Sequence, residues 1–111
     1  MIELVIKNYL DSTISVPVRF EVPESPPSRF VVVEKTGSGK SDQIKSSTFA
    51  FQSYAESIYE AAVLNELVKT AVEDLIQLDE IGNVRLNSDY NFTDITTKQY
   101  RYQAVYDITH Y

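Results

Sequence analysis

The chain has 111 residues, which predicts a single domain, residues 1–111, with a core of its own. It contains no cysteine, which excludes disulfides, thiolate metal sites and cysteine nucleophiles, and it has no apolar run near the roughly 20 residues of a membrane span. The formal net charge is −6 and no basic cluster could neutralise several phosphates, so we expect a cytoplasmically made, soluble protein that neither reads nucleic-acid sequence nor contacts membranes.

The first 35 residues predict a short helix followed by two strands. Apolar side chains recur at three- and four-residue spacing over residues 2–10, which is typical of an amphipathic helix. The stretch "VPVRFEV" alternates between apolar and polar residues, and Pro17 has no N–H to donate, so we expect this strand at a sheet edge. The stretch "RFVVVEK" is apolar on both faces and predicts a strand deep in the sheet, paired with the first one in an antiparallel hairpin.

The next stretch contains "GSGKS", which resembles the end of a nucleotide-binding loop. Such a loop reads G-x-x-x-x-G-K-[ST] and opens into a helix. Here Glu34 stands where the first glycine is needed, and the following stretch, "SSTFAFQSY", has the alternation of a strand. We therefore predict a polar, flexible loop over Thr36–Lys45 that joins two strands, and no nucleotide site.

A long helix is predicted over Ala55–Leu78. Residues 56–80 contain seven acidic residues and only one lysine, so this segment accounts for the whole net charge of the chain. Its main apolar stripe should pack on the sheet. A second set, Tyr59, Val63 and Leu67, recurs at steps of four among the acidic residues. These three are either scattered surface hydrophobics or a packing surface for another subunit. The main stripe comprises Ile58, Ala61, Leu64, Val68, Ala71, Val72 and Leu75.

After the helix, a left-handed cap at Gly82 or Asn83 should lead into a short strand and a polar turn over residues 83–94. Residues 100–110 alternate without interruption, which predicts a long strand in the interior of the sheet. The expected fold is α+β: an antiparallel (mixed) sheet of about five strands, with a short N-terminal helix and one long helix packed on it, in the order α-β-β-β-α-β-β.

No pattern in the sequence predicts catalysis, a cofactor or a metal. The only histidine, His110, is next to the last residue printed, a poor position for a general base. Asp89, Asn91 and Asp94 have the alternation of a cation loop but lack its glycine turn and closing glutamate. Together with Asn87, they are better interpreted as turn and bulge residues, and the chain is expected not to be an enzyme.

Four stretches carry a resemblance to a known family: "VPVRFEVPESPPSRFVVVEKTG", "TFAFQSYAESIYEAA", "LNSDYNFTD" and "TKQYRYQAVYDITHY". In this order they resemble the tail terminator (tail completion) proteins of long-tailed, non-contractile phages, over nearly the whole chain. The resemblance implies a virion protein at the head–tail junction that forms a ring, typically a hexamer, on the tail tube. It implies partners in the tail tube protein and a head-completion or connector protein, with DNA passing through unread. A head-tail joining (head-closure) protein that binds the portal side is the alternative.

Under that resemblance, two sets of residues are candidate sites. Tyr59, Val63 and Leu67 are the predicted subunit interface. The loop is the predicted partner-docking segment, disordered in a lone subunit and ordered on docking. Its residues are Thr36, Gly37, Ser38, Gly39, Lys40, Ser41 and Asp42.

Overall fold

A computed structural model describes residues 1–42 and 44–111. It confirms the α+β fold class and the order of the elements. In chain order these are α1 (Ile2–Thr13), β1 (Val18–Arg19), β2 (Phe30–Ser41), β3 (Ile44–Ala55), α2 (Ile58–Glu73), a 3₁₀ turn (Asp74–Gln77), β4 (Ile81–Asn91) and β5 (Tyr100–His110).

The five strands form one mixed sheet in the order β1-β2-β3-β5-β4. All neighbours are antiparallel except β1, which runs parallel to β2. The predicted hairpin between the first two strands is therefore wrong, and β1 has only two residues. Phe20 and Val22 lie beyond the end of β1 and are exposed, and the prolines that follow within a few residues have no N–H with which to continue a ladder. Pro17 does lie at the sheet edge, where its carbonyl accepts from the Val31 N–H.

Both helices pack on one face of the sheet, and the main hydrophobic core lies between the helices and that face. β3 is the central strand, and β5 is an inner strand between β3 and β4, as its alternation predicts. Phe49 and Phe51 of β3 and Tyr106 of β5 are fully buried on the helix-bearing face. The other face of β2 and β3 carries a small cluster of Phe30, Val32 and Tyr54.

The predicted loop over Thr36–Lys45 is wrong as a structural assignment. β2 continues to Ser41 and pairs with β3 down to the Ser41–Ile44 rung, so only two residues connect the strands. Asp42 has a φ of 50°, in the left-handed region that Asp tolerates, and Gln43 lies outside the described residues. The segment is a strand because every residue from Gly37 to Ser41 has a cross-strand partner, which outweighs the low strand preference of glycine and serine.

α2 is shorter than predicted and begins at its cap. Ser57 is the N-cap, and its hydroxyl accepts from the Glu60 N–H at 3.1 Å. The helix ends in the 3₁₀ turn, and no residue around Gly82 has a positive φ. The predicted left-handed cap at Gly82 or Asn83 is therefore wrong; both residues belong to β4, which is longer than expected.

Candidate functional site

The outward face of α2 carries three exposed apolar side chains, which we call the α2 stripe: Tyr59, Val63 and Leu67. Their exposed fractions are 72%, 39% and 57%, whereas six residues of the predicted inward stripe are buried and Ile58 is exposed. Successive members are four residues apart, so they stack one above another along the helix. The structure therefore places all three together on the surface of the single chain, and their contact with another subunit remains a prediction.

The acidic residues at the start of α2 are paired with a cation that precedes β2. Arg29 binds Glu56 through Nε at 2.9 Å and Glu60 through an η nitrogen at 2.7 Å. The hydrogen bond from Arg29 lowers the pKa of Glu56. Glu66 is likewise paired with Lys69 at 2.8 Å. In the described ranges the acidic residues that follow, Glu73 to Glu80, have no ion-pair partner, so the net negative charge concentrates at the end of the helix.

A polar link fixes α2 to β4. Asn65 is 1% exposed, and its Nδ2 donates to Asp89 Oδ1 at 2.7 Å. The other carboxylate oxygen of Asp89 binds Lys69 Nζ, and this hydrogen bond raises the pKa of Lys69. The link holds the helix, and with it the α2 stripe, at one orientation over the sheet.

The predicted docking segment forms the tip of the β2–β3 hairpin. Thr36 is the extra residue of a β-bulge between Lys35 and Gly37 and donates its hydroxyl to the Thr48 carbonyl. Residues 37–41 are paired with β3, and Asp42 begins the turn. Part of this segment lines a surface depression of about 390 Å³, together with Lys35, Lys45, Ser46, Ser47 and His110. The lining residues from the segment itself are Ser38, Gly39 and Lys40.

His110 makes a hydrogen bond that sequence reasoning did not anticipate. Its Nε2 lies 2.9 Å from Ser47 Oγ, and both residues are buried. Burial lowers the pKa of His110, as do the charges of Lys45 and Lys35, while Glu3 opposes the shift. Within the described chain, no carboxylate is hydrogen-bonded to the ring, and Ser47 is only 3% exposed on an extended strand. The pair therefore lacks the orienting acid and the accessible hydroxyl of a serine hydrolase.

An aromatic row crosses the helix-free face of the sheet and is organised by Arg101. The guanidinium lies 4.5 Å from the Phe92 ring and 5.6 Å from the Tyr54 ring. Tyr54 stacks on Phe30 with centroids 4.4 Å apart, and Phe92 meets Tyr90 edge-on. Tyr90 and Phe92 are about two-fifths exposed at the end of the row, so part of it is open to a partner.

The residues considered for a cation do not come together. Asp89 is engaged by Asn65 and Lys69, whereas Asn91 accepts from the Thr93 N–H. Asp94 accepts from the N–H groups of residues 96 and 97. Asp94 is thus a turn residue and Asn87 a bulge residue, as predicted, whereas Asp89 and Asn91 are paired with β5 within β4, so their assignment to a turn is wrong. The described residues contain no group of three or more side chains placed to hold a metal.

Three residues that organise these surfaces were not singled out from the sequence: Arg29, Asn65 and Arg101. Arg29 and Arg101 contact residues 27 and 47 positions away in the chain, a distance at which no local spacing predicts a pair. The role of Asn65 could have been predicted from the sequence, because it lies between Leu64 and Val68 on the inward side of α2. A polar side chain buried there needs a hydrogen-bond partner.

Neither described helix is long and apolar enough to cross a membrane. The sequence matches no protein-family profile. It also has no significant match among curated proteins.

Proposed function

We propose that the chain is a structural protein of a phage virion that caps the head-proximal end of the tail tube. In this role it stops polymerisation of the tube and provides the joint to the head. It works as a closed ring of identical subunits, with six as the expected number, and DNA passes through the ring without being read. It uses no cofactor and carries out no reaction.

The observation that carries the proposal is the α2 stripe. Three stacked apolar residues are exposed on a helix whose inward face already fills the core, so the stripe is not needed for folding. Exposed apolar patches rimmed by charged residues are typical of protein–protein contact sites. A stripe that meets a different patch of the next copy makes a head-to-tail contact, and such contacts form a closed ring when the rotation between successive copies divides a full turn evenly.

Substitution of the stripe tests the assembly. Val63→Glu introduces a carboxylate at the centre of the stripe, which weakens subunit association by about tenfold or more because the charge would be buried unpaired. We expect a folded monomer in sedimentation velocity and a native circular dichroism spectrum. Ile95→Glu is the matched control, since Ile95 is 86% exposed and belongs to the β4–β5 connection, not to α2. A Val63→Glu protein that assembles like the Ile95→Glu control would contradict the proposed contact.

The identity of the partner separates the two virion roles. The tagged chain should retain the tail tube protein of its own phage and form caps visible on purified tails by electron microscopy. Retention of the head-closure protein alone, with no binding to tubes, would instead favour the head-tail joining role. A chain that stays monomeric with both partners and turns over a substrate would refute both.

A further inference from the structure

Three lysines of the β2–β3 hairpin line one surface depression, and we call them the hairpin lysines: Lys35, Lys40 and Lys45. Lys40 and Lys45 are directly opposite each other across the two strands, and Lys45 is in turn opposite His110 of β5. Side chains at such positions have Cβ atoms about 5 Å apart. All three lysines line the depression of about 390 Å³ described above.

A β-bulge brings Lys35 and Lys40 to the same face of the sheet. In a regular strand, residues five apart point to opposite faces. Here Thr36 is left without a cross-strand partner, so Lys35 is opposite Phe49 and Lys40 is opposite Lys45. Phe49 and Lys45 are an even number of residues apart on β3, and both lie on the helix-bearing face. The bulge therefore concentrates positive charge at one place in an acidic chain.

The hairpin lysines have no anionic partner within residues 1–42 and 44–111. None of them makes an ion pair or a side-chain hydrogen bond there, whereas Lys7, Arg29, Lys69 and Arg85 all do. Like charges placed directly opposite on two strands destabilise the pairing. The ladder nevertheless continues past Lys40 and Lys45 to the last rung. A bound anion would remove the repulsion.

The remaining lining groups suit an anion with several acceptor oxygens. Ser38, an exposed serine two residues before Lys40, lies on the same face as the lysines and lines the depression. A hydroxyl and an ammonium group are both hydrogen-bond donors. A phosphate monoester carries a charge of about −1.5 to −2 and three acceptor oxygens, so it offsets more of the lysine repulsion than a carboxylate does. A DNA backbone phosphate is a diester with a single charge, so several adjacent phosphates would be needed to offset the same repulsion.

We propose that the depression between Lys35, Lys40 and Lys45 binds a phosphate group. The "GSGKS" stretch takes part through Ser38 and Lys40 on a strand, in a geometry unrelated to that of a nucleotide-binding loop. The phosphate is either free, as inorganic phosphate or a small phosphorylated molecule, or belongs to the backbone of DNA. The proposal is independent of the proposed function in the virion, and the two are tested by different measurements.

Titration of the full chain with sodium phosphate at low ionic strength tests the site. In ¹⁵N–¹H correlation spectra, we expect saturable shifts of the backbone amides of residues 37–40 and 45–47. Lys35→Gln and Lys45→Gln should each weaken phosphate binding by about fivefold, because each removes a charged donor. Lys98→Gln is the matched control, since Lys98 is also exposed and has no ion-pair partner in the described residues; its affinity should remain within about twofold of the parent.

Two further titrations identify the source of the phosphate. If the site takes backbone phosphates, a short DNA duplex binds, and the slope of log affinity against log salt falls by about 1 in either hairpin variant. Binding of inorganic phosphate without binding of the duplex assigns the site to small phosphorylated molecules. The proposal is overturned if phosphate shifts no hairpin amides, if acetate binds equally well, or if Lys98→Gln weakens binding as much as Lys35→Gln does.

Discussion

Replacement of Asp89 by alanine should destabilise the protein far more than its surface position suggests. Asp89 accepts the only hydrogen bond that the Asn65 side chain makes in the described structure, and Asn65 is 1% exposed. Asp89→Ala leaves the buried amide without a partner. A buried polar group that loses its partner costs about 1–3 kcal/mol.

The ion pair with Lys69 adds less to this cost. The side chains of Lys69 and Asp89 are 19% and 24% exposed, so water screens the pair only in part, and we assign it about 0.5–1 kcal/mol. The expected total is about 2–3 kcal/mol of unfolding free energy. For 111 residues the unfolding entropy is about 0.23 kcal/mol/K, so this corresponds to a decrease in melting temperature of about 10 °C.

Thermal and urea unfolding, followed by circular dichroism, measure the effect, and a double-mutant cycle assigns it. In an Asn65→Leu background the buried amide is gone, so Asp89→Ala should cost less than about 1 kcal/mol. Glu21→Ala, which removes another exposed carboxylate, should change stability by less than about 0.5 kcal/mol. Equal costs of Asp89→Ala in the parent and Asn65→Leu backgrounds would show that the buried amide is not the source of the effect.

Two further predictions concern the aromatic row and the buried histidine. Arg101→Ala should cost about 1–2 kcal/mol in urea unfolding, because the guanidinium stacks on Phe92 and donates hydrogen bonds to the Phe92 carbonyl and the Tyr54 hydroxyl. Arg101→Lys should recover less than half of this, because an ammonium has no planar group that can stack and donate at the same time; full recovery by lysine would exclude the guanidinium geometry as the cause. Burial lowers the pKa of His110 in the folded chain, so the unfolded chain binds a proton more readily. The urea midpoint should therefore fall as the pH drops from about 6.5 to 5. This range lies above the pH at which ordinary carboxyl groups titrate. His110→Asn should flatten this dependence, and a parental profile already flat between these pH values would contradict the assignment.

The periodicity of the sequence was sufficient for the elements whose apolar residues face one core. α1, most of the buried face of α2 and the long strand β5 follow from three- to four-residue spacing and from strict alternation, and the structure confirms them. The α2 stripe could be located for the same reason, because residues left over on a helix of known inward face must point outward.

The strand bounds and contacts that periodicity did not predict depend on pairing between segments that are distant in the chain. The hairpin tip has the glycine, serine and lysine content of a loop, yet it is a strand because β3 offers a partner for each residue. β1 has the alternation of a longer strand but meets β2 at only two positions. The contact of Arg101 with Tyr54 depends on β5 pairing with β3, and this adjacency was not predicted.

The shortness of β1 leaves most of β2 at the border of the sheet. β1 pairs only with Val31 and Val32, so in the described structure the backbone from Glu34 to Ser41 has no strand on its outer side. An unpaired strand edge of this kind can pair with strands of other chains and aggregate, unless charged side chains or a β-bulge prevent the pairing. Lys35, Lys40 and the β-bulge at Thr36 supply both, so we expect this edge to resist pairing with other chains.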